Sequence, residues 1–123
     1  MRYLWLEQYL LAKPGVSRDF KAEWGWYRYQ IGGKLFCAVC LDEACKKEVY
    51  ITLKLDPFHG DTLRRLYPGD ILPGYYMNKT HWNSVKADGS VPDELLRELL
   101  DEAYALVLSG LSRKKQQEIL LKE

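Results

Sequence analysis

No stretch of this 123-residue chain approaches the roughly 18 unbroken apolar residues of a membrane-spanning helix, so no membrane span is expected. The opening run MRYLWLEQYLLAK is interrupted by Glu7 and Gln8 and forms no signal-peptide core. Cysteine is scarce and odd in number, at three. Without an export signal that fits a reducing compartment better than a disulfide framework, and the expected location is the cytoplasm. Histidine is limited to His59 and His81. No nucleophile elbow, phosphate-cradling loop or paired Cys–His signature occurs, so neither an enzyme nor a cofactor is expected. An excess of one charge is also missing: 18 Lys+Arg stand against 17 Asp+Glu, a formal net charge of +1. A dedicated duplex-binding domain usually carries a clear basic excess, because phosphate neutralisation supplies most non-specific affinity. Any contact with a polyanion must therefore come from a local basic face.

What is present is ordinary for a folded domain: 47% hydrophobic and 28% charged residues, with 13% aromatics including four tryptophans. The length suits one domain over residues 1–123. Residues 3–13 predict a helix striped by Trp5, Leu6, Tyr9 and Leu10 and stopped by Pro14-Gly15. Residues 24–31 alternate as a strand, with Tyr27, Tyr29 and Ile31 on one face and Trp24, Trp26, Arg28 and Gln30 on the other. Gly32-Gly33 then supplies two positive-φ positions for a tight hairpin turn. Residues 34–41 read as a central strand, and VYITLKL alternates again, with Val49, Ile51, Leu53 and Leu55 opposite Tyr50, Thr52 and Lys54. A short helix follows Pro57, carries Leu63 and Leu66, and closes at Tyr67-Pro68-Gly69. Residues 70–80 read as irregular, and residues 81–87 as another strand. A long helix opens at Pro92 with Asp93 and Glu94 in its first turn, and a last helix is capped by Ser112. The expected class is α+β. It is a two-layer antiparallel sheet with helices packed on one face, in the order helix, three strands, helix, one or two strands, helices.

Few residues invite chemistry. Cys37 and Cys40 have a zinc-like spacing, yet three positions apart in a strand they point to opposite faces, and zinc wants about four ligands; no metal site is expected. Glu94, Glu98, Asp101 and Glu102 crowd one side of the long helix, which we read as a solvated face interrupted by Arg97. His81, beside Asn78, Lys79 and Asn83, has the make-up of a base with polar supports, but a base alone identifies no reaction. The basic residues follow the turns. Arg28 and Lys34 flank Gly32-Gly33, Lys46 and Lys47 occupy the next loop, and Lys79 and Lys86 bracket HWNSV. Basic hairpin loops can straddle a phosphate backbone while Asn and aromatic groups reach toward bases.

Several stretches together resemble the MmcQ/YjbR family: LAKPGV, IGGKLFCAV, VYITLKL, and above all LRRLYPGDILPGYYMNKTHWNSVKADGSVPDELLRELLDEAYALV. PGYYMNKTHWNSV is the most specific of them, although Tyr76 stands where relatives often have a histidine. The resemblance implies a compact α/β domain akin to frataxin-like and secretion-chaperone-like folds, and a DNA-binding role through paired β wings. That role is assigned in the family from fold, so it is an association. The resemblance carries over no catalytic residue and no cofactor.

Within HWNSV, alternation puts His81, Asn83 and Val85 on one face and Trp82, Ser84 and Lys86 on the other. Val85 turns the first set inward, so His81 and Asn83 are expected to be structural, with hydrogen-bond partners in the preceding loop. The leading expectation is a DNA-binding protein. Arg28, Lys34, Lys79 and Lys86 would meet phosphates, and Trp82 and Asn78 would lie against sugar or bases. The alternatives are a protein-interaction module using Trp24, Trp26 and Trp82, and a small-molecule or catalytic site around His81.

Overall fold

The computed structural model describes residues 1–74 and 77–121; Tyr76 therefore lies outside the described residues. The elements run α1 (Leu6–Leu11), β1 (Val16–Lys21), β2 (Trp26–Ile31), β3 (Lys34–Leu41), β4 (Glu48–Lys54), α2 (Pro57–Leu66), β5 (Ile71–Pro73), β6 (Trp82–Lys86), α3 (Asp93–Ser109) and α4 (Arg113–Leu121). The strands form one antiparallel sheet in the order β1-β2-β3-β4-β6-β5. This is the expected α+β class. Gly32 and Gly33 adopt φ of 55° and 78°, the left-handed values that a two-residue hairpin turn requires.

Two strands go beyond the alternation read from the sequence. β1, VSRDFK, is a mostly exposed edge strand, so no buried stripe announces it; it is held by pairing from Val16↔Ile31 to Lys21↔Trp26. β5 is three residues long, pairs Ile71 with Val85, and ends at Pro73, which suits the opposite edge.

One cluster of apolar side chains fills the space between the sheet and α1 to α3. β2 to β6 contribute Tyr29, Ile31, Cys37, Ile51, Leu53, Ile71 and Val85. Leu6 and Leu10 enter from α1, Leu63 from α2, and Leu96, Leu99, Leu100, Ala103 and Val107 from α3. Each fully buried Leu or Ile contributes about 1.5–3 kcal/mol. Phe36 meets Tyr104 of α3 edge-on at 5.7 Å between centroids.

Helix starts follow local chemistry. Asp56, immediately before Pro57, caps α2 by accepting from the backbone N–H groups of Phe58 and His59. Ser112 Oγ accepts from Lys115 N at the head of α4, which buries none of its residues. Two of the acids expected to be solvated instead tie α3 to its neighbours. Asp101 accepts from the Tyr9 hydroxyl and Lys13, and Glu102 bonds His59 Nδ1 at 2.5 Å and accepts from Asp56 N. Cys37 is sealed on the helix face of β3, whereas Cys40 lies on the other face with Sγ 3.6 Å from Thr52 Oγ1. The two cysteines therefore cannot share a metal ion.

Candidate nucleic-acid interface

The face turned away from the core, called here the outer face, is built by alternate residues of the same strands. On β4 these are Tyr50, Thr52 and Lys54; on β6 they are Trp82, Ser84 and Lys86. Each strand thus reads aromatic, hydroxyl, lysine at every second position. Because the strands are antiparallel, Tyr50 pairs with Lys86, Thr52 with Ser84, and Lys54 with Trp82. A local two-fold relation results, with an aromatic–lysine pair at each end and hydroxyls at its centre. Thr52 Oγ1 and Ser84 Oγ share a 2.9 Å hydrogen bond there, which satisfies both where they are sealed from solvent. Ala38 of β3 pairs with Thr52 and is equally sealed. The flanking Tyr50, Lys54 and Trp82 are half-buried, and Lys86 is exposed.

Charge is distributed unevenly between the faces. Across the regular ladder of β1, β2, β3, β4 and β6 the outer face carries Lys21, Arg28, Lys54 and Lys86 against Asp19 alone. Four ladder cations against one ladder anion give +3, and Glu23, which pairs with Lys21 from the β1–β2 turn, brings this to +2 on a chain whose formal net charge is +1. Two of the cations are engaged. Arg28 forks onto Asp19, with Nε–Oδ1 at 2.8 Å and Nη2–Oδ2 at 2.5 Å, and holds that carboxyl below its ordinary range. Lys21 pairs with Glu23 at 3.1 Å. Lys54 and Lys86 form no ion pair among the described residues. Glu48 and Asp88, near the Tyr50–Lys86 end, lie 3.9 and 3.1 Å from the Met1 ammonium.

The structure brings some of the sequence-derived candidates together and separates others. Lys34, at the β2–β3 turn, shares one end of the sheet with Lys54 and Trp82, and Lys79 lies in the turn leading into β6. Lys86 sits at the opposite end, four residues from Trp82, about 13 Å at the rise of a strand. Arg28 lies mid-strand, locked to Asp19, and is not a free phosphate ligand. The Asn78 side chain accepts from Thr80 N at 2.8 Å through Oδ1 and closes the turn before β6, while the residue itself stays exposed. Trp24 remains exposed in the β1–β2 turn, packed edge-on to Trp26 at 5.2 Å, but Trp26 is buried, contrary to its expected place on an accessible aromatic surface. Two further cations were missed. Lys54 was read only as one face of a strand, and Lys115 of α4 reaches the Gly32 carbonyl at 3.5 Å. The alternation of VYITLKL already placed Lys54 beside Tyr50; only the packing of α4 against the β2–β3 turn brings in Lys115.

Asn83 faces inward and is fully buried, as expected, and beside its partner in the preceding turn, the His81 carbonyl, it has a second one from α2. Arg64 Nη1 donates to Asn83 Oδ1 at 2.5 Å, while Asn83 Nδ2 donates to the His81 carbonyl at 3.4 Å. Gly60 of α2 permits the close approach: a Cβ there would lie 2.9 Å from Asn83 Nδ2. His81 is half-buried, and its carbonyl accepts from Leu55 N at 2.8 Å, joining β6 to the end of β4. Cavities of about 250 and 260 Å³ lie elsewhere: one beneath α1, lined by Tyr3, Leu6, Arg18, Tyr27 and Tyr29 among others, and one beside Glu48, Tyr50 and Lys86. Neither is lined by His81. Burial pushes the Cys40 thiol up to about 11, which leaves it protonated and unreactive near neutrality.

The family model YjbR matches residues 11–106, spanning every strand and α3 up to its last turn. The chain belongs to the YjbR family. YjbR of Escherichia coli K12 is 30% identical over 111 residues, covering 90% of this chain and 91% of its own length. YbdF of Escherichia coli O157:H7 is 36% identical over 91 residues, covering 74% of this chain and 71% of its own. A crystal structure of a Deinococcus radiodurans protein with a DUF419 domain superposes with a TM-score of 0.81 at 31% identity, covering 93% of this chain and 84% of that one. A Pseudomonas syringae protein shares the fold, with a TM-score of 0.68 at 22% identity. None of these names states a ligand, so YjbR membership carries the architecture and the function must be argued from the outer face.

Proposed function

We propose that this YjbR-family chain is a DNA-binding domain that meets its ligand with the outer face of the sheet and the basic turns at its edge. The observation that carries this reading is the pair of outer-face cations, Lys54 and Lys86, that sit beside aromatic rings and form no ion pair among the described residues of a nearly neutral chain. Lys34, Lys54, Lys79 and Lys86 serve as the phosphate ligands, and Trp82 lies against sugar or base. Arg28 acts indirectly, through the ion pair that holds β1 to β2. The test is titration of the protein with labelled DNA, both duplex and single-stranded, at about 50 and about 200 mM salt. Binding that weakens steeply with salt is the expected result; absent or salt-insensitive binding rejects phosphate contacts.

A second reading rests on Trp24 and Phe20, about half exposed at 51% and 47% near the β1–β2 turn. Aromatic surface of this kind suits a protein partner. A partner retained from lysate after nuclease treatment, and lost with Trp24→Ala, would favour it.

A further inference from the structure

The local two-fold relation on the outer face specifies more than a polyanion. Each end pairs a flat ring with a cation on the neighbouring strand: Tyr50 with Lys86, and Trp82 with Lys54. A phosphate ligand alone would need only the lysines. Rings are of use to a ligand that has π-faces to offer, and in a duplex those faces are consumed by stacking, whereas in a single strand they are free. The number of cations decides in the same direction. Affinity for a duplex rests mainly on phosphate neutralisation and grows with the number of phosphates neutralised. Here the cations around the aromatic plates that form no ion pair among the described residues are Lys54 and Lys86, with Lys34 and Lys79 at the rim. Arg28 and Lys21 are already neutralised by Asp19 and Glu23. So sparse a set of charges is too few to hold a duplex tightly, but suits a short single strand whose affinity is shared between stacking and phosphate contact.

We propose that the outer face binds single-stranded nucleic acid, one base lying on Tyr50 and another on Trp82, with Lys86 and Lys54 on the adjoining phosphates. The two plates lie on adjacent strands at opposite ends of the Tyr50–Lys54 and Trp82–Lys86 segments, about 13 Å apart along the strand direction. The strand crosses diagonally between them, above the sealed Thr52 and Ser84. Because the two ends are related by a two-fold, the site has weak polarity and little sequence preference, since every base has a face to stack. This inference rests on the nucleic-acid reading and narrows it.

The experiment is fluorescence anisotropy of the full chain with oligothymidine, oligouridine and a mixed-sequence DNA duplex, each about 12 nucleotides or base pairs long, within the usual range of single-strand site sizes. The expected result is that a single strand binds roughly ten-fold or more tightly than the duplex. The thymidine and uridine arms show whether DNA or RNA is preferred. Tyr50→Ala and Trp82→Ala should each weaken single-strand binding roughly ten-fold, while Tyr50→Phe and Trp82→Phe, which keep a plate, retain most of it. Lys54→Gln and Lys86→Gln should each lower the slope of log affinity against log salt by about 0.7 without altering the thermal melt. These lysine variants keep the test valid where an alanine variant fails to fold. A duplex bound as tightly as the single strands overturns the inference and leaves the general DNA-binding reading standing, as do folded alanine variants that bind like the parent. Phenylalanine variants that lose as much as the alanine ones overturn the stacking role. No binding by any oligonucleotide overturns both.

Discussion

Along β4, Ile51 and Leu53 are sealed against the helices, while their immediate neighbours Tyr50 and Lys54 stay half-buried on the other side. β6 repeats the division, with Asn83 and Val85 inside and Trp82 and Lys86 outside. The helix face is apolar and largely buried, and its buried Asn83 amide is held by an arginine from α2. The outer face is a row of small sealed side chains framed by rings and cations. The difference teaches that a strand's period of two lets one stretch of chain carry stability on alternate residues and recognition on those between, with little interference. Variants on the two faces should therefore separate cleanly by readout.

The largest effect belongs to the helix face. Leu53→Ala empties a fully buried site and should cost about 2–5 kcal/mol in urea unfolding. Asn83→Ala removes the Arg64–Asn83 hydrogen bond beneath α2 and should cost about 1–3 kcal/mol by the same measurement. If either variant instead loses nucleic-acid affinity while keeping its stability, the division between faces fails.

The sequence made much of this division legible, because alternation survives in VYITLKL and HWNSV and names both faces residue by residue. It correctly turned Asn83 inward. It could not name Arg64 as the partner, since that contact depends on α2 crossing over β6 at Gly60. β1 was illegible for a related reason: an edge strand exposed on both sides has no buried period to display. On the outer face, spacing could not reveal that Arg28 faces Asp19 across a strand pair, nor that Asn78 spends its side chain on its own turn.

A subtler test of the helix face uses pH. Burial raises the Tyr29 phenol to about 12, whereas the unfolded phenol ionises near its ordinary value of 10.0. The unfolded chain therefore releases this proton first. Stability is complete below the unfolded value and is lost as pH rises toward about 12. Tyr29→Phe should flatten that alkaline decline in chemical-denaturation curves. On the outer face, Asp19→Asn frees Arg28 and adds a positive charge. A few-fold gain in oligonucleotide affinity and a steeper salt dependence are expected. Smallest of all, Lys79→Ala should change stability by no more than about 0.5 kcal/mol and show itself only as a shallower salt slope.

Composition and period by themselves determined the α+β class and its two-faced antiparallel sheet, because apolar spacing is a local property that no distant contact needs to supply. Which charges remain available was decided only by the tertiary structure. An ion pair or a capping bond depends on the register between strands and the placement of helices, and those are settled by packing across the whole core.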